Sequence, residues 1–366
     1  SAMAYNLGLA YYYNGMLDKA EQMYKKAIEL YPDNKDARVN LGLVYSDKGM
    51  TQKAVEEFAE VISSTPEDPD LRINLAAAYY SAGMLDQAMQ EFGNAVSAGY
   101  SSWDVRNVMG IIYYRKGLID EALREFEASA KLKPDDGDIQ YNLGLIYAKM
   151  GDAKKAKKHL DKAAKLSPQN AGIHYNLGYI YYSSGMLDEA IDEYNKAVIL
   201  ASNDAEAHFN LGTAYYSRGM IDRAITEFRR ALSLKPMPQA HVSLASCYGD
   251  KGMIDEEVKA LENALQLDPN FFEASYNLGI SYSRQEKFKD ALVHLKKANE
   301  IQPDNPDVHN NLGVAYSGLG QFDEAVTEFK RTIELKPTIP EAYINLGYAY
   351  SKMDMMIQAV EVLKKA

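Results

Sequence analysis

A single 34-residue sentence is repeated along the whole of this chain. It reads YNLGLAYYYNGMLDKAEQMYKKA from Tyr5, YNLGYIYYSSGMLDEAIDEYNKA from Tyr175, FNLGTAYYSRGMIDRAITEFRRA from Phe209 and INLGYAYSKMDMMIQAVEVLKKA from Ile344. The Leu of its Asn-Leu-Gly core recurs at Leu7, Leu41, Leu75, Leu143, Leu177, Leu211, Leu244, Leu278, Leu312 and Leu346, with Met109 standing in once. Every step is 34 residues except one of 33, between Leu211 and Leu244. A unit this short cannot bury its own apolar face, so a fixed period of this length specifies a stacked array in which each repeat covers its neighbour. The eleven in-phase copies fill residues 4–366, the last truncated, and predict one solenoid rather than the two or three globular domains that length alone suggests.

Let the repeated Leu be position 7 of each unit. Apolar or small residues at 4, 7, 8, 10 and 11 have helical spacing. Gly at 15, from Gly15 to Gly320, is placed to stop that helix as a left-handed C′ residue. Asp at 18, as in Asp18, Asp86, Asp188 and Asp222, is expected to cap the next helix. A second amphipathic run follows, with small residues at 20 and 27 and an aromatic residue or Leu at 24, and Pro at 32 ends it at most junctions. Each unit is a helix–turn–helix hairpin, and the chain is all-α.

The pattern Leu7, Gly8, Tyr11, Ala20, Tyr24, Ala27, Pro32 and its counterparts resembles the tetratricopeptide repeat (TPR) family over essentially all 366 residues. The resemblance implies a right-handed superhelix of stacked hairpins whose first helices line a concave surface. Gly or Ala at 8 is expected to face Ala at 20 and 27, with the rings at 11 and 24 filling the layer between repeats. Two junctions break the pattern. After repeat 3 the usual Pro gives way to Ala98-Gly99-Tyr100-Ser101-Ser102 before Trp103, near 98–103. The shortened step falls at Pro236-Met237-Pro238 (236–238). Each is either loop drift or a local change of pitch.

Composition narrows the function. A formal net charge of −11 argues against a nucleic-acid partner, which needs a basic stripe. One cysteine, Cys247, excludes an internal disulfide framework and any thiolate metal cluster. No apolar run approaches the length of a membrane span, and no charged-then-apolar leader precedes Tyr5. Ser1-Ala2-Met3 reads as a cloning remnant. The compartment is not written in the residues, with the cytoplasm favoured.

The pattern's functional content lies at position 6, which reads Asn6, Asn40, Asn74, Val108, Asn142, Asn176, Asn210, Ser243, Asn277, Asn311, Asn345. Asn is a mediocre helix former, so its recurrence is not a propensity choice. Positions 2, 6, 9 and 13 share a helix face opposite the core positions 8 and 11, and the amides are expected to look into the groove. This row is similar to the asparagine ladder of the TPR superhelix of O-linked N-acetylglucosamine transferase, a resemblance that implies amides gripping the backbone of an extended peptide. Packed helices lie roughly 8–10 Å apart and an extended strand rises about 3.3 Å per residue, so one amide meets about every third residue. A side-chain amide both donates and accepts. Sequence choice would fall to position 5 (Tyr5, Tyr141, Tyr175, Phe209, Tyr276) and to position 9 (Leu43, Ile111, Leu145, Tyr179, Tyr348). The alternative is that Asn at 6 merely bonds a neighbouring repeat. Val108 and Ser243 follow the irregular junctions and predict three grip zones, repeats 1–3, 5–7 and 9–11.

Other patterns point to structure. The basic residues of a carboxylate clamp are missing, since position 2 is acidic in Asp36, Asp70, Asp104, Asp138, Glu206, Glu273, Asp307 and Glu341. These carboxylates suit helix starts and, if exposed, favour neutral or basic ligands. His174, His208, His241 and His309 share position 4, where side chains a repeat apart do not converge on one metal ion. They are expected to pack at the seam between repeats, as Arg38, Arg72 and Arg106 do earlier. Met16, Met50, Met84, Met186, Met220 and Met253 fall at position 16 and are expected to be buried under the turn, an exposed docking strip being the alternative. Cys247 reads as a buried, inert thiol. No nucleophile–base pair, phosphate loop, metal site or cofactor motif is present.

The leading expectation is therefore a non-catalytic scaffold that binds an extended segment of a protein partner. The alternatives are the substrate-recruiting arm of a larger enzyme such as a glycosyltransferase, and a structural array assembling end to end. No polar capping helix follows Ala366, so the natural chain is expected to continue there and before Met3, and exposed terminal faces would favour self-association.

Overall fold

The computed structural model describes every residue from Ser1 to Ala366 and contains 22 helices and no strand. They come in pairs, one pair per repeat. First helices run from Ala2–Tyr13 in repeat 1 to Pro340–Lys352 in repeat 11, and second helices from Leu17–Leu30 to Met356–Leu363. The chain forms two compact units, Ser1–Gln169 and Asn170–Ala366, holding repeats 1–5 and 6–11. Their boundary coincides with neither irregular junction.

Within each unit, a second helix packs between the first helix of its own repeat and the first helix of the next. First helices of successive repeats also touch one another, and no comparable contact joins second helices. The stack is tighter on the first-helix side. Repeats 3 and 4 depart from this: the backbones of their first helices, Pro69–Ser81 and Trp103–Arg115, approach less closely, although Arg115 still lies 5.3 Å over the Tyr80 ring. The cause is local. At the other junctions the residue that follows the second helix has φ between −130° and −154°, as at Gln302 and Tyr31. Here the second helix closes on left-handed Gly99 (φ +94°), with Tyr100 N–H on the Ala95 carbonyl at 3.1 Å. At the shortened junction, Pro238 opens the next helix and the first helices of repeats 7 and 8 keep their contact.

The core is one layer per repeat. Position 8 meets first the ring or Leu at 24 rather than the alanines at 20 and 27, although the Ala291 carbonyl lies 3.3 Å from a Cβ on Gly279. A Cβ on Gly178 would lie 2.6 Å from Tyr194, and one on Gly212 would lie 2.8 Å from Phe228. Alanines at 20 and 27, such as Ala20 and Ala27, are buried in the same cluster as the ring at 24, here Tyr24. Tyr24, Phe58, Tyr194, Phe228 and Phe329 are consequently among the largest fully buried side chains.

The turn between helices corrects two expectations. The second helix is capped by position 16, not by Asp at 18. After the left-handed Gly, the N–H of position 16 bonds back to the carbonyl of position 11, as from Met186 to Tyr181 at 2.9 Å. That six-to-one closure lets the next helix begin at once. Asp at 18 therefore lies inside the first turn, where the dipole still favours it. It pairs instead with the basic residue at position 14 of the following repeat, as in Arg218–Asp188 at 2.7 Å and Lys251–Asp222 at 2.6 Å. The methionines are only partly covered: Met16, Met50, Met186 and Met220 are 37–47% exposed, while Met84 and Met253 are half-buried, Met253 against the core.

Position 15 is left-handed in all eleven repeats, with φ between +70° and +80° at its nine glycines. Repeats 9 and 11 place Glu286 (φ +57°) and Asp354 (φ +58°) there. For an L-residue this conformation costs roughly 1–2 kcal/mol. Glu286→Gly is expected to raise the unfolding free energy by about 1 kcal/mol in a denaturant titration.

Position 4 carries a second recurring device. Its side chain reaches the carboxylate at 23 of the same repeat: Arg38–Glu57 at 3.3 Å, Arg106–Glu125 at 2.9 Å, and His174–Glu193, His208–Glu227 and His309–Glu328 at 2.6 Å. Repeat 5 reverses the polarity, with Gln140 against His159 at 2.8 Å. Several of these side chains also bond the carbonyl at 32 of the preceding loop, as His309 does to Pro303 at 2.8 Å and Gln140 to Pro134 at 2.9 Å. The histidines thus tie the two helices of a repeat and the incoming loop together. His241 has Ala260 at position 23, and its Nδ1 is buried without a partner.

Candidate functional site

The first helices present positions 2, 6 and 9 away from the ring layer. Asn6 is exposed and the other eight amides are half-buried, while all eight carboxylates at position 2 are exposed. The position-6 side chains are therefore neither sealed in the core nor fully free.

Their amide nitrogens are largely used within the chain. Asn210 donates to the Tyr175 hydroxyl at 2.8 Å, Asn311 to Tyr276 at 3.1 Å and Asn40 to Tyr5 at 3.4 Å. Asn142 donates to the Asn107 carbonyl oxygen at 3.0 Å, and Asn345 to that of Asn310 at 3.2 Å. In each pair the acceptor is position 5 of the preceding repeat. Asn176 donates to the Gly172 carbonyl at 2.8 Å. Where position 5 has no acceptor, the pattern changes. Val39 precedes Asn74 and Val242 precedes Asn277, and neither amide makes a side-chain bond; Phe209 precedes Ser243. The tyrosines Tyr5, Tyr175 and Tyr276 are thus staples between repeats as well as part of the surface. Tyr141 and Phe209 occupy the same half-buried slot, the Phe209 ring 5.7 Å from Phe228. Tyr179, at position 9, is 56% exposed.

The consequence is chemical. An amide whose nitrogen is committed still offers its carbonyl oxygen. The oxygens of Asn40, Asn142, Asn210, Asn311 and Asn345 accept nothing from the chain, and Asn6, Asn74 and Asn277 keep both ends. Burial raises the Tyr175 hydroxyl above its ordinary range, helped by the Glu206 charge and opposed by the Asn210 bond. Tyr276 is raised by burial and then Asp307, and Tyr5 by burial and then Asp36. These hydroxyls remain neutral, beside carboxylates. The face is rich in acceptors and negative charge.

Two cavities open on this face in the second unit. One, of about 410 Å³, brings together Tyr175, Glu206, Phe209 and Asn210 with Pro236, Met237 and Pro238 of the shortened junction. The other, of about 350 Å³, contains Asn277, Asp250, Glu257 and Arg284. Of its residues only Asn277 was singled out by sequence reasoning. The signal for Glu257 was legible, since it is the one residue other than Ala at position 20 in eleven repeats. No group of three or more metal-ligating side chains clusters anywhere. Cys247 is fully buried, and burial pushes its thiol up to about 12. No helix is long and apolar enough to cross a membrane.

Comparison with known proteins agrees with the architecture. Residues 1–208 match the family profile of the Cilia and flagella-associated protein 70 C-terminal domain. Tetratricopeptide-repeat profiles match residues 205–237, 238–271, 282–320 and 318–354. None of the curated proteins compared with the chain matches it. Among solved structures, the MamA protein is 27% identical over 46% of this chain and 92% of its own, with a TM-score of 0.43. YrrB, described as a TPR protein with an unusual peptide-binding site, is 23% identical over 51% of this chain and 97% of its own, with a TM-score of 0.45. Yeast Tom70 is 17% identical over 100% of this chain and 91% of its own, with a TM-score of 0.44. With one repeat profile spanning more than half of the sequence and others following it to residue 354, the chain belongs to the tetratricopeptide-repeat family, its first 208 residues to the group described by the Cilia and flagella-associated protein 70 C-terminal domain.

Proposed function

We propose that the chain is a non-catalytic scaffold whose first-helix face holds an extended segment of a protein partner. One observation carries this reading: a row of at least partly exposed asparagine carbonyls, uncommitted within the chain, in eight of the eleven repeats. Such a row meets the main-chain N–H groups of an extended strand without regard to its sequence. Because most of the amide nitrogens are already bonded, the face accepts more than it donates. The exposed carboxylates at position 2 then favour neutral or basic ligands over acidic ones. Within the second unit the contacts would run through Asn210, Asn277, Asn311 and Asn345, with Tyr175, Phe209 and Tyr276 beside them.

Asn277 gives the cleanest test, because it has no partner inside the protein. Unstructured peptides selected from a display library are titrated against wild type, Asn277→Ala and the triple variant Asn210→Ala, Asn277→Ala, Asn311→Ala. Asn277→Ala should leave the unfolding free energy within about 0.5 kcal/mol of wild type, while the triple variant binds at least tenfold more weakly. Selected peptides that bind all three proteins equally would refute the proposal.

A further inference from the structure

Glu257 stands where the other ten repeats place alanine. It is only 7% exposed, and its position lies in the tight seam of a repeat. The chain has made room for it: position 12 of the same repeat is Gly249, and a Cβ there would lie 3.1 Å from Glu257 Oε2. A buried carboxylate is costly unless strongly paired. Its one basic neighbour, Arg284, reaches both oxygens only at 3.4 Å, from a side chain that is itself 47% exposed. The carboxylate borders the 350 Å³ cavity with Asp250, Ser246 and Asn277, the asparagine whose amide has no partner. Asp250 and Glu257 against Arg284 leave the cavity one net negative charge. Burial and the nearby Asp250 push the Tyr216 hydroxyl at its edge up to about 12, so that group stays neutral.

A seam position converted from Ala to Glu, with a compensating Gly and an open cavity in front, is the construction of a site. We infer that this cavity is a pocket for a cationic side chain, Lys or Arg, of the bound segment. The cation docks between Glu257 and Asp250, and Arg284 swings outward to admit it. The inference rests on the reading of the face as a peptide groove, and it names the residue type that would set the register of the ligand.

The probes are two acetylated, amidated Ser/Ala nonapeptides, one with Arg at its centre and a twin with norleucine there. Binding to the full chain is followed by calorimetry. The Arg peptide is expected to bind wild type at least tenfold more tightly than its twin, and Glu257→Gln should reduce that ratio to below about twofold. Arg284→Ala, which removes the internal competitor, should increase it. Glu257→Ala restores the residue of the other repeats and should melt no lower than wild type. If both twins bind wild type equally, the pocket is wrong and the groove stands. If the Arg peptide binds through Glu257 but is indifferent to the triple asparagine variant, the pocket stands and the groove falls. Lower melting of both Glu257 variants with an unchanged twin ratio would make Glu257 a structural ion-pair partner and overturn the inference.

Discussion

Phe228→Ala is expected to destabilise the protein by about 3–5 kcal/mol, the cost of emptying a fully buried aromatic site in a core that cannot collapse around it. Phe228 is 1% exposed and lies across Gly212, sharing a core layer with Leu211, Ala214, Ala224 and Leu244. The helices on either side are held apart by the repeats above and below, so the cavity persists. The same site is intolerant in the opposite sense. Gly212→Val puts a branched side chain where even a Cβ sits 2.8 Å from the ring, and overpacking of this kind costs about 1–3 kcal/mol. Phe228→Leu should return much of that loss, because repeat 8 already combines Ala245 with Leu261 at the equivalent positions. Denaturant unfolding of the two singles and the double decides it. Additive losses would mean that positions 8 and 24 do not share one space.

His309→Leu should cost about 1–3 kcal/mol, since it strips the Glu328 carboxylate and the Pro303 carbonyl of a donor at one stroke. Both ring nitrogens lie against an acceptor, at 2.6 and 2.8 Å. His309→Arg should be nearly neutral. Arg38, Arg72 and Arg106 hold this slot in earlier repeats against the same carboxylate at position 23. Adding Glu328→Leu to His309→Leu should recover stability, because an apolar pair replaces a broken polar one. If His309→Leu and His309→Arg unfold alike, the slot serves packing rather than charge.

The period made the architecture legible, since a spacing of 34 residues with Gly at 15 dictates two helices and a left-handed turn wherever it occurs. The errors arose where a side chain had two plausible tasks. Asp18 has the chemistry of a cap, but the six-to-one closure at position 16 starts the helix before it. The methionines at 16 are apolar, yet at the cap position Met16, Met50, Met186 and Met220 stay exposed while Met253 packs on the core. At position 6 the row itself was visible, whereas the allocation of each amide was not. Whether Asn210 spends its nitrogen on Tyr175 depends on a residue 35 places away, and only the stacking of repeats brings the two together. Glu257 was missed because a single exception among eleven units is hidden by an alignment that looks for what recurs.

Replacing the ligand's amide linkages one at a time by esters tests most directly whether the asparagine carbonyls accept main-chain N–H groups. An ester keeps the shape of the linkage and deletes the N–H. Affinity for a selected peptide is predicted to fall by about 1 kcal/mol, roughly fivefold, at about every third linkage and to stay level between. A peptide whose binding is indifferent to every ester along its length would contradict the account.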